Sequence, residues 1–239
     1  MSMKHAEPVM GTVFSFELRD VESAAVLTPV LERLHEVDAT YSTYRADSVI
    51  SRLNRRELDY DSIPEEVREV LTACQAWHAR TAGWFDSYRD GRLDPSGYVK
   101  GWSIDEASRM LAAAGSRWHS VNGGGDILAV APRGVPPWRF GVIDPLDGEL
   151  LRGVVSGHRV ALATSGIAER GRHIYDPVTG SPPETRLLSL SVSGRDIIEC
   201  DVLATAGFAR GDAGPDWLAR FDHLQVLPCY SGQNSTATA

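Results

Sequence analysis

Between Val13 and Leu18 apolar and polar residues alternate, VFSFEL, which places Phe14, Phe16 and Leu18 on one face of a predicted strand. The period then lengthens. Leu27, Leu31 and Leu34 recur at helical spacing, so residues 22–38 are predicted to be helix, with Pro29 near the first turn. A polar loop, STYRADS, precedes a short helix over Val49–Leu53. Ser62 and Glu65 form a capping-box pattern with Pro64 near the helix start. Val67, Val70, Leu71, Cys74 and Trp77 then make an apolar stripe that stops at Gly83. Trp84 to Gly101 is rich in glycine, aspartate and aromatics and reads as loop with short extended pieces; a helix is predicted from Trp102 to Ala114. The segments RWHSV, DILAVA, WRFGVI, LRGVVS, RVALAT and LLSLSVS follow as short strands separated by turn residues. Helices over 196–210 and 215–221 and a strand LQVLP complete the pattern, and residues 231–239 read as a disordered tail.

Helices that bracket strands at hairpin spacing predict an α+β fold, with mixed, largely antiparallel sheets flanked by helices. No linker divides the chain, so residues 1–230 are expected to form one domain ahead of the tail. The 239 residues, 43% apolar and 23% charged, are ample for a core. A net charge of −8 disfavours a broad nucleic-acid surface, and a polyanionic ligand would need a metal ion to offset repulsion. No apolar run is long enough to span a bilayer, and MSMKHAEPVMG lacks the apolar centre of a secretion signal. The three cysteines, Cys74, Cys200 and Cys229, are odd in number and show no metal-ligand spacing, which suits reduced thiols. The expectation is a cytoplasmic protein.

Four segments could carry chemistry. VNGGGDILAV, residues 121–130, sets three glycines between two strands, as a tight hairpin or as a phosphate-approaching turn. LDPSGYVKG, residues 93–101, brings Asp94 and Lys100 beside a predicted helix start, where a cation suits an anionic ligand. In ECDVLATAGFARG, Asp201 and Thr205 are four apart on one helix face among small and apolar residues. A carboxylate with a hydroxyl is oxygen-only ligation of the kind Mg²⁺ takes; an Asp–Arg pair and a Thr bonded to its own helix would use the same residues structurally. HIYDPVTG, residues 173–180, mounts His173 on a turn rigidified by Pro177 and Gly180, and a histidine there can move a proton near neutral pH.

Taken together and in order, VMGTVFSF, STYRADSVISRLN, GWFD, LDPSGYVKGWSID, VNGGGDI, ATSG, HIYDPVTG and CDVLATAGFARG resemble the ApbE family of FAD:protein FMN transferases over about residues 9–211. The resemblance implies FAD as donor, Mg²⁺ as cofactor and a Thr or Ser hydroxyl of a target flavoprotein as acceptor, with AMP released. It implies that Gly97, through its carbonyl, Asp201 and Thr205 hold the metal. Met10, Tyr44, Trp84, Phe85, Asp86, Asp94, Lys100 and Tyr175 fall at flavin-nucleotide contact positions. His173 is the candidate general base, and Asp176 either orients it or stabilises its turn.

Two departures from the family pattern stand out. The stretch between GWFD and LDPSG is short, which predicts a more open flavin pocket, and TSGD reads TSGI, with Ile167 replacing an acid. The same site with water as nucleophile would be a Mg²⁺-dependent FAD pyrophosphatase, and without chemistry an FAD-binding protein.

Overall fold

A computed structural model describes residues 2–89, 91–167 and 174–232. In chain order the elements are β1 (Met3–Val9), β2 (Thr12–Leu18), α1 (Thr28–Tyr41), α2 (Val49–Asn54), α3 (Glu65–Arg80), β3 (Tyr88–Arg89), β4 (Arg92–Leu93) and α4 (Ser96–Ala113). Then come β5 (His119–Gly123), β6 (Asp126–Val130), β7 (Trp138–Ile143), β8 (Leu151–Gly157), β9 (Arg159–Gly166), β10 (Leu187–Gly194), α5 (Ile197–Ala209), α6 (Gly214–Leu218) and β11 (Gln225–Tyr230).

Seven strands form one sheet in the order β1-β2-β5-β6-β9-β10-β11, and every neighbouring pair is antiparallel. This is the α+β arrangement the hairpin spacing predicts. Alternation along β9 shows how the layers divide. Ala161 and Ala163 face the main core with α5, while Val160 and Leu162 face the β7–β8 hairpin through Val142 and Val155. A strand presents successive side chains to opposite faces, so one strand serves both layers. On the helical side α4 packs on α1, α5 and β5, and α5 lies against β9 and β10.

The VFSFEL strand forms as expected, with Phe14, Phe16 and Leu18 buried. Its neighbour β1 carries no apolar alternation to announce it. Its inward positions Met3, His5 and Glu7 are only half-buried, with Val9 alone among them buried, and Pro8 is tolerated because β1 is an edge strand. The first long helix starts later than its leucine spacing suggests: Ala24–Leu27 is a 3₁₀ turn, and α1 begins at Thr28 with Pro29 in its first turn. The capping box is absent. Ser62 instead closes a 3₁₀ turn over Tyr60–Ser62, and Pro64 sits at the N-cap of α3 without a side-chain bond. The largest change is α4, which begins at Ser96 rather than Trp102.

Candidate active site

The early start of α4 is what builds the site. Asp94 Oδ1 accepts the Ser96 N–H at 3.1 Å and Pro95 takes the N-cap, so the helix begins inside a glycine-rich segment. A Cβ on Gly97 would lie 3.2 Å from the Phe85 ring. A Cβ on Gly101 would lie 3.1 Å from Asp201 Cβ, from its Oδ2 and from the Ile197 carbonyl. Each glycine weakens a helix by roughly 1 kcal/mol relative to alanine. Here they let α4 close onto Phe85 on one side and onto α5 on the other.

Asp201 is buried at the centre of that contact. Its Oδ2 accepts the Gly101 N–H at 3.0 Å. Its Oδ1 lies 3.5 Å from Lys100 Nζ, and the same ammonium stands 2.5 Å from Oδ2 of Asp126, which is fully buried. Burial raises the pKa of the Asp201 carboxyl; Lys100 opposes the rise and the neighbouring Asp126 adds to it. Among the described residues, two buried carboxyl groups thus share one nearby ammonium.

Thr205 stands one turn along α5 from Asp201. Its Oγ1 is 3.3 Å from Ser165 Oγ on β9, and Thr164 next to it donates its N–H to Asp126 Oδ1 at 2.9 Å. The ATSG segment therefore ties β9 to both the α5 hydroxyl and the β6 carboxylate. Among the described residues no three His, Cys, Asp or Glu side chains converge, so a cation here would rest on mixed oxygen donors. The Asp201 carboxylate, the Thr205 hydroxyl and the Gly97 carbonyl are all hard oxygen donors. That set fits Mg²⁺, with phosphate and water to complete it.

The remaining predicted contacts are spread around this centre. Met10 takes φ 57 in the β1–β2 turn with Gly11 at φ 69, a pair of left-handed residues of the type I′ kind. That turn abuts the β5–β6 turn, where the Gly124 N–H bonds the Val13 carbonyl at 3.2 Å and a Cβ on Gly124 would come within 2.6 Å of Thr12 Oγ1. Phe85 is buried against Gly97, so its ring supports the helix and faces away from solvent. Trp84 is half-buried, with the Arg210 guanidinium 4.4 Å from its ring centre. Asp86 Oδ1 accepts the Tyr88 N–H at 2.8 Å and so starts the β3–β4 hairpin. From that hairpin Arg89 stacks on Tyr175 with 3.3 Å between guanidinium carbon and ring centre. Tyr44, 97% exposed, contacts the cluster through none of the described interactions. Asp176 works in its own turn: Oδ1 accepts from Val178 N–H at 2.7 Å and Thr179 N–H at 3.4 Å, and Gly180 closes the turn at φ 66. His173, the candidate base, lies outside the described residues.

The ApbE family model matches residues 10–89 and 87–228, nearly the whole chain. The chain belongs to the ApbE family. Within it, the chain is 25% identical to a Vibrio cholerae protein named FAD:protein FMN transferase, over 92% of this chain and 85% of the relative. A Salmonella typhimurium protein of the same name is 29% identical over 91% and 81% of the two chains. The fold matches the crystal structure of the ApbE protein of Thermotoga maritima with a TM-score of 0.85, at 21% identity over 98% and 96%. It matches the flavin transferase ApbE of Vibrio cholerae with a TM-score of 0.80, at 22% identity over 98% and 95%.

In this ApbE chain the residue that sequence reasoning passed over is Asp126. It closes the VNGGGDI motif, but glycine runs direct attention to backbone and not to the acid that follows. Ile167, which follows the ATSG segment, is partly buried and packs against the main core.

Proposed function

We propose that this chain is a Mg²⁺-dependent FAD:protein FMN transferase that moves FMN from FAD to a Thr or Ser hydroxyl of a target flavoprotein and releases AMP. The observation that carries the reading is the Asp201–Thr205 face of α5, with Asp201 buried where the helix closes against the glycine face of α4, in a chain whose curated relatives bear that name. The acceptor oxygen forms a bond to the FMN-side phosphorus as the bond from that phosphorus to the AMP oxygen breaks. Gly97, Asp201 and Thr205 would hold Mg²⁺, which supplies charge neutralisation at the phosphate oxygens. Lys100 offers its ammonium to the same phosphates. His173 would take the acceptor's proton, and the Asp176 turn would mount it.

The test incubates the protein with FAD, Mg²⁺ and a panel of Ser/Thr acceptor peptides, and reads peptide mass and free AMP. Transfer yields an FMN adduct and AMP together; AMP with free FMN and an unmodified panel would make the chain a pyrophosphatase. Asp201→Ala is expected to abolish the adduct, and intact transfer would remove the metal assignment. His173→Ala is expected to retain FAD binding, followed by flavin fluorescence, while slowing transfer by about 10²–10⁴-fold. Lost binding with unchanged turnover at saturation would make His173 a ligand contact instead.

A further inference from the structure

The lysine that the site offers to phosphate is itself held by a residue with no assigned role. Asp126 opens β6, directly after the Gly124–Gly125 turn, and is completely buried. The Thr164 N–H fixes its Oδ1 at 2.9 Å. Its Oδ2 forms an ion pair with Lys100, whose Nζ stands 2.5 Å away, and among the described residues it accepts no hydrogen bond. Asp201 Oδ1 lies farther from the same ammonium, at 3.5 Å. The lysine is therefore shared between two buried carboxylates, and Asp126 holds the larger share.

We propose that Asp126 is a positioning residue: it anchors Lys100 away from Asp201, so that Asp201 Oδ1 remains open to the divalent cation. The inference rests on reading Gly97, Asp201 and Thr205 as the cation's ligands. Its physics is a competition. An ammonium beside a buried carboxylate occupies the place a metal ion would take, and attraction rises as separation shrinks in a low-dielectric site. A second, firmly hydrogen-bonded carboxylate at shorter range settles the competition in favour of the metal. Without Asp126, Asp201 is the one of the two carboxylates left for Lys100, and a buried ammonium closes on the anion that remains.

A double-mutant cycle tests this, with Mn²⁺ alone as probe and the free-ion EPR signal as readout. Asp126→Asn keeps the shape and an oxygen for the Thr164 N–H while removing the anchor's charge. It is expected to raise the Mn²⁺ dissociation constant by at least about tenfold. Lys100→Met is expected to bind Mn²⁺ as tightly as wild type or tighter. D126N/K100M should return to within about threefold of K100M, because the misplaced ammonium is gone. Wild-type binding by D126N overturns the proposal. So does a double variant as weak as D126N, since Asp126 would then act by its own charge or as a ligand. If D126N alone does not fold, the charge-neutral D126N/K100M carries the test, and weak binding by it overturns the proposal. Asp201→Ala separates the two readings: Mn²⁺ binding that survives it removes the ligand assignment and takes the proposal with it.

Discussion

One methyl group at residue 101 tests the geometry of the site. Gly101→Ala improves helix propensity by roughly 1 kcal/mol, yet its Cβ would sit 3.1 Å from Asp201 and from the Ile197 carbonyl. Overpacking of that kind costs about 1–3 kcal/mol. The net expectation is a midpoint lowered by no more than about 8 °C, read by scanning calorimetry. FMN transfer is expected to fall far more, by about 10²-fold, because Asp201 must shift while the rest of the protein need not. At this scale the sequence was informative where chemistry lay on one element. Asp201 and Thr205 share a face at i and i+4, so their pairing is visible without a fold. Asp126 was not visible, because its meaning depends on Lys100, which lies on a different element and meets it only when α4 packs against the sheet.

The elements divide along similar lines. Strands with a buried face were readable from alternation, and α5 from its small and apolar residues. The first turns of α4 were not, because glycines that signal a loop locally serve a helix–helix contact that appears only in the packed molecule. Strand β1 was hidden because an edge strand needs little apolar surface. His119 joins two of these elements. Its Nε2 is 2.9 Å from Ser108 Oγ of α4, its Nδ1 is 3.1 Å from Ser116 Oγ, and burial lowers its pKa to about 4. The folded state resists protonation that the unfolded chain accepts near pH 6.5. Stability from the neutral ring is therefore complete above about pH 6.5 and is lost as pH falls toward 4, by at most about 3 kcal/mol. Urea unfolding at pH 7.0 and at pH 4.5, both order-of-magnitude brackets of that window, should show the loss, with His119→Gln flattening it.

For the whole molecule, the candidate site is a junction: α4, α5, β6 and β9 each supply a group to it. A ligand bound only by that junction stabilises the native state by mass action, by about 2.7 kcal/mol at a hundred times its dissociation constant. FAD with Mg²⁺ is expected to raise the melting midpoint by about 5–11 °C, and FAD with EDTA by much less. Equal shifts with and without EDTA would argue that the flavin binds without the metal.

The order of the strands also bears on how the chain is made. β2 lies between β1 and β5, with Phe14 opposite Gly123, so its second partner is encoded roughly a hundred residues downstream. A ribosome adding about 5–20 residues per second completes that interval in on the order of 5–20 s. Once they emerge from the ribosome, Phe14, Phe16 and Leu18 wait for the later elements that complete the core around them. For the nascent chain, the first hairpin is a stretch for a chaperone to shield before it becomes the floor of a core.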